Sequence, residues 1–118
     1  IGKNNSIRKR YRFFEIMNNW GIPLEIETLV RSRDRKCVYC HIEFNKAGTG
    51  SGASWEHIIN DIKITTAENI ALCCRSCNSS KGAKSLRVWF SKDYCVKRNI
   101  NESTVADIVR VHISKYGY

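Results

Sequence analysis

Apolar residues recur at helical spacing in three parts of the chain. Ile7, Tyr11, Phe14 and Met17 would share one face of an N-terminal helix, with Arg8, Lys9, Arg10 and Arg12 interleaved between them. That helix is expected to end near Gly21-Ile22-Pro23. Pro23 suits the first position of a second helix, where its missing N–H has no partner to lose, and Glu25 and Glu27 then fall in a first turn that favours carboxylates. Ile26, Leu29 and Val30 supply the apolar stripe of this helix. Val105, Ile108, Val109, His112 and Ile113 form the third stripe, stopped at Gly117. Between them the pattern changes. Asn45 to Ser54 holds three glycines and no large apolar residue, and reads as a surface loop. Ser54 to Ile59 and Ile62 to Thr66 are short and rich in β-branched residues, and are expected to be extended. A further helix is expected from near Asn78, followed by an apolar segment at Leu86, Val88, Trp89 and Phe90. The class is therefore α+β, and 118 residues suffice for a single domain.

Composition narrows the setting. Hydrophobic residues make up 42% and charged residues 26%, the balance of a globular chain rather than a disordered one. No apolar run approaches the roughly 18 residues of a membrane span, and no signal-peptide pattern is read, so a cytoplasmic setting is expected. The formal charge of +9 attracts polyanions, of which nucleic acid is the commonest. A merely solvated basic surface would carry the same charge, so charge proposes a partner and no reaction.

The cysteines propose chemistry. Four of the six form two C-x-x-C pairs, Cys37/Cys40 and Cys74/Cys77. A tight turn brings both sulfurs of such a pair to one side of the backbone, and two such knuckles complete the tetrahedral site that zinc accepts. A disulfide framework is the competing reading, disfavoured by the paired spacing. Residues 41–73 lie between the knuckles, longer than a compact zinc ribbon allows, so this insert must fold on its own. Four thiolates and one Zn²⁺ would leave the loaded chain at about +7, still basic. Cys73 and Cys95 read as packed thiols, and His41 as a surface residue or a support of the ligands, since four cysteines already suffice.

Within and just after the insert the chain runs Trp55-Glu56-His57-Ile58-Ile59, then Glu68-Asn69-Ile70-Ala71-Leu72-Cys73-Cys74, then Arg75-Ser76-Cys77-Asn78-Ser79-Ser80-Lys81-Gly82. This order resembles the HNH nuclease family, whose fold is the ββα-metal motif, from about Arg35 to Gly82. The resemblance implies a zinc-stapled core at 35–82, with helical extensions at 1–34 and 83–118. It implies His57 as general base, Asn69 as the residue that orients it, and Glu56 and Asn78 as ligands of a catalytic divalent ion. A carboxylate and an amide are hard oxygen donors that suit Mg²⁺ or Mn²⁺, and a neutral imidazole accepts a proton from water because its ordinary pKa is about 6.5. Family members usually carry Asp or His where this chain has Glu56, and many carry a second His where it has Asn78. Both departures bear on metal preference.

The implied activity is a metal-dependent DNA endonuclease leaving 5′-phosphate and 3′-hydroxyl ends, acting most naturally on double-stranded DNA. Alternatives are a non-catalytic zinc-binding DNA module of the same fold and a zinc-stapled protein-interaction domain. Restriction, homing, phage packaging and repair all fit such an enzyme. Lys81 and Arg75 are expected to contact phosphates, with Arg8, Arg10 and Arg12 extending the footprint. Trp55 is expected to pack under the zinc site, and His112 to be a satisfied packing residue. Two copies paired through Val105 to Ile113 would present two active sites to a two-fold duplex.

Overall fold

The computed structural model describes residues 17–45, 51–61 and 63–118. The expected helix over Ile7 to Met17, with Arg8, Arg10 and Arg12, falls almost entirely outside them. The order of elements is α1 (Leu24–Arg33), β1 (Ala53–His57), β2 (Ile70–Cys74), α2 (Arg75–Lys81), α3 (Leu86–Phe90), α4 (Asp93–Arg98) and α5 (Asp107–Tyr116).

Helix α1 starts directly after Pro23 and ends with Arg31 and Arg33 in its last turn, the charges that favour a C-terminus. Val30 is fully buried, whereas Leu29, expected on the same stripe, is 49% exposed. Asp34 follows the helix and docks it. Its Oδ2 accepts the Leu72 backbone N–H at 3.0 Å and also an Arg33 guanidinium N–H at 2.8 Å. Arg33 in turn donates to the carbonyls of Ala67 and Ile70. One buried carboxylate thus fixes α1 against β2.

The two strands form an antiparallel pair, with Ala53 opposite Cys74 and His57 opposite Ile70. The first strand, Ala53–His57, overlaps the segment expected from Ser54 to Ile59, but the second does not coincide with the one expected from Ile62 to Thr66. Residues 63–69 are irregular, and the partner strand is Ile70–Cys74, buried at every position. A strand covered on both faces shows no alternation, so periodicity gives it no signature.

Helix α2 begins at Arg75, one turn before Asn78, because Cys74 caps it: its sulfur accepts the Cys77 N–H at 3.4 Å. Gly82, at φ 51°, ends it in a backbone region that side chains disfavour. Ser85 caps α3, which buries Leu86 and Trp89. Asn99 ends α4 in the left-handed region, and Cys95 is buried on that helix, a packed thiol. The α5 stripe faces the chain's own core. Val105 and Val109 are buried, and Ile108 and Ile113 pack against the same cluster.

The main core gathers Cys37, Val38, Tyr39, Ile58, Cys74, Cys77 and Trp89 with residues of α3 to α5. A second cluster under α1 joins Ile22, Val30, Ile70 and Leu72, with Trp55 partly buried against it. Trp55 therefore packs beneath Arg31, whose guanidinium lies 4.9 Å from its ring, and not under the cysteines. Among the described residues no helix is long and apolar enough to cross a membrane.

Candidate functional site

The ligand atoms of Cys37, Cys40, Cys74 and Cys77 all lie within 4.8 Å of one another, and the Cys40 and Cys74 sulfurs are 3.7 Å apart. Four sulfurs at a Zn–S length of about 2.3 Å stand about 3.8 Å apart in a tetrahedron, so the cluster fits that ion. These four residues would hold it, and it would staple the first knuckle to the β2–α2 junction. In each knuckle the second cysteine's backbone N–H points at the first one's sulfur, at 3.5 Å for Cys40 and 3.4 Å for Cys77. Tyr94 Oη donates to the Cys77 sulfur. Sulfurs packed so closely cannot all ionise alone. Hydrogen bonding from Cys37 draws the Cys40 and Cys74 thiols down, Cys74 to about 7. Cys37 is pushed up chiefly by Cys40, and Cys77 chiefly by Cys37. A bound dication relieves that conflict by deprotonating the set. Burial pushes Cys73 up, as befits a packed thiol. His41 is exposed at φ 62°, and its ring meets the Thr104 carbonyl rather than the sulfurs.

Beside this centre, Glu56 sits on β1 with only 5% of its surface exposed. Its Oε2 accepts the Tyr39 hydroxyl at 2.7 Å and lies 3.2 Å from the Lys81 ammonium. Lys81 is fully buried, and its Nζ also reaches the His57 carbonyl at 3.5 Å. Lys81, expected at the phosphate backbone, is thus an internal cation. Burial pushes the Glu56 carboxyl up, while Lys81 and then Tyr39 pull it back. Tyr39, between the first two cysteines, was not singled out from sequence. The available signal was Glu56 itself, since a carboxylate on a core strand needs donors.

His57 ends β1, half-buried. Burial holds its imidazole below the ordinary value, opposed by Asp61 and reinforced by Lys81. Asn69, 2% exposed, acts on the loop that follows His57. Its Oδ1 accepts the Ile59 N–H at 2.7 Å, and its Nδ2 donates to the Ile59 and Ile64 carbonyls. The Asn69 carbonyl also takes the Ile58 N–H. Asn69 thereby fixes the backbone on which the imidazole is carried. Asn78 is half-buried on α2, three residues before Lys81, and so shares that residue's helix face. A carboxylate and an amide are the hard oxygen donors that a divalent ion takes, and Glu56 Oε2 is here shared by Tyr39 and Lys81. Glu56 and Asn78 would hold such an ion.

Arg75 is exposed at the start of α2, and its N–H bonds the Gly52 carbonyl at 3.1 Å. A Cβ on Gly52 would stand 2.8 Å from the Arg75 guanidinium, so glycine leaves room for that side chain. His112 is buried on α5, as expected of a packing residue, but neither ring nitrogen has a hydrogen-bond partner among the described residues.

No curated protein and no solved structure matches the chain. The family model for HNH endonucleases matches residues 37–84, from the first knuckle through α2. That span holds both knuckles, both strands, Glu56, His57, Asn69, Asn78 and Lys81, and over it the chain is similar to HNH endonucleases.

Proposed function

We propose that this chain hydrolyses phosphodiester bonds in DNA, with His57 as general base and a divalent ion, Mg²⁺ or Mn²⁺, held by Glu56 and Asn78. The observation that carries this reading is the half-buried His57 at the strand end, its proton affinity lowered by burial, next to the buried carboxylate of Glu56. Such an imidazole is neutral at physiological pH and free to accept a proton. Water attacks phosphorus as His57 takes its proton. The bond to the 3′-oxygen breaks, and the leaving oxygen is protonated from solvent, which gives a 5′-phosphate and a 3′-hydroxyl. The bound ion would offset the charge that builds on the phosphoryl and leaving oxygens. Asn69 keeps the His57 backbone in place, and Arg75 is the exposed cation beside α2 that contacts phosphate. Double-stranded DNA is the expected partner, in keeping with a formal charge of +9.

A second reading, a DNA-binding module of the same fold without catalysis, is favoured by one observation: Glu56 is already paired with Lys81. A cleavage assay separates the two. Zinc-loaded wild type with Mg²⁺ or Mn²⁺ should cut plasmid or oligonucleotide DNA, and His57→Ala should lose roughly 10²–10⁴-fold in rate while still binding. Absence of cleavage by folded wild type on both duplex and single-stranded substrates sinks the enzyme. Equal rates for the variant remove the base.

A further inference from the structure

An ammonium buried in a protein core must be held by acceptors, and Lys81 has two. Its Nζ lies 3.2 Å from Glu56 Oε2 and 3.5 Å from the His57 carbonyl, and none of the residue is exposed. The same Glu56 oxygen takes the Tyr39 hydroxyl, so it already has a neutral donor and a full positive charge beside it. A hard divalent ion needs a lone pair of that carboxylate and repels any cation a few ångströms away. An ion drawn to Glu56 therefore meets the ammonium already seated on its Oε2, and Asn78 lies three residues before Lys81 on the same helix. Helix α2 ends immediately after Lys81 at Gly82, so displacing the buried lysine requires movement at that helix end.

We propose that Lys81 is the resident cation of this site, a positioning residue that a divalent ion must displace from Glu56 before hydrolysis. This rests on the hydrolytic reading given above. Until the ion arrives, Lys81 keeps the buried carboxylate charged and in place, and ties α2 to the strand that carries His57. Once the ion arrives, the ammonium leaves. Lys81 therefore sets the ion concentration at which the site fills.

The test uses the zinc-loaded full chain and the metal alone. Mn²⁺ binding, followed by electron paramagnetic resonance, should be about tenfold or more tighter in Lys81→Met than in wild type. Lys81→Arg, which keeps the charge, should stay within about threefold of wild type. Reductive methylation of the wild type, read by mass spectrometry, should leave Lys81 unmodified without Mg²⁺ and modify it at saturating Mg²⁺. This second measurement needs no variant to fold. Mn²⁺ affinity unchanged or weaker in Lys81→Met, or Lys81 still protected at saturating Mg²⁺, overturns the proposal. Failure of wild type and Lys81→Met alike to bind Mn²⁺ overturns it together with the divalent site. If Lys81→Met tightens Mn²⁺ while wild type cuts no DNA, the displacement stands and the hydrolytic reading falls.

Discussion

Tyr39→Phe removes one hydroxyl and leaves the ring. The ring packs edge-on against Trp89 with centroids 4.8 Å apart, and the substitution keeps that contact. What is lost is the 2.7 Å hydrogen bond to Glu56 Oε2, made where Tyr39 is wholly buried and Glu56 is 5% exposed. A hydrogen bond to a charged group contributes about 1.5–3 kcal/mol, and the carboxylate left behind keeps Lys81 but no water to replace the phenol. The expected destabilisation is therefore about 1.5–3 kcal/mol. For a domain of this size it corresponds to a drop in Tm of roughly 5–15 °C. The clean measurement is a double-mutant cycle of Tyr39→Phe, Glu56→Gln and the pair, unfolded in urea with zinc bound at pH 7. Glu56→Gln alone strands the Lys81 charge, but that cost appears on both sides of the cycle and cancels. A coupling of about 1 kcal/mol or more is expected. A value below about 0.5 kcal/mol would refute the claim that Tyr39 holds Glu56 in place.

Three further outcomes follow. Cys74→Ser, or removal of zinc by a chelator, should unfold the domain, because structural zinc contributes about 10–16 kcal/mol against a whole stability of about 5–15 kcal/mol; a cooperative melt retained after chelation, with metal content checked by mass spectrometry, would contradict this. Asp34→Ala should cost about 3–5 kcal/mol, since it orphans the Leu72 N–H and strips Arg33 of both its carboxylate bonds; urea unfolding within about 1 kcal/mol of wild type would mean that α1 docks by other contacts. His112 is held below its ordinary value mainly by burial, so its neutral form contributes stability that is present above about pH 6.5 and is lost as pH falls through the folded value. His112→Leu should therefore flatten the acid side of the stability profile below about pH 6.5, and an unchanged profile would show that His112 does not titrate on unfolding.

What was legible from sequence follows from how local each signal is. Cys37, Cys40, Cys74 and Cys77 announce themselves by spacing, and the structure gathers their sulfurs within 4.8 Å. Pro23 and Gly117 mark helix ends through backbone chemistry alone, and α1 and α5 stop or start beside them. Strand β2 was not legible, because its five buried residues alternate in nothing and the β-branched residues before it belong to a turn held by Asn69. Lys81 was misread for a related reason. A lysine on a helix is usually solvated, and only the fold shows that its stem crosses to a carboxylate on the neighbouring strand. The partnership of Tyr39 with Glu56 spans 17 residues of chain and carries no pattern at all.

Cys74 has three positions at once: last residue of β2, cap of α2, and one corner of the sulfur cluster. Starting a helix is the slow and unfavourable part of making one, since a first turn fixes several residues for a single hydrogen bond. Here the sulfur that accepts the Cys77 N–H is one that zinc would hold still, and the Cys77 sulfur would lie on the same ion. Metal uptake would thus nucleate the helix that carries Asn78 and Lys81. In a newly made chain, the supply of zinc would decide when that helix takes shape.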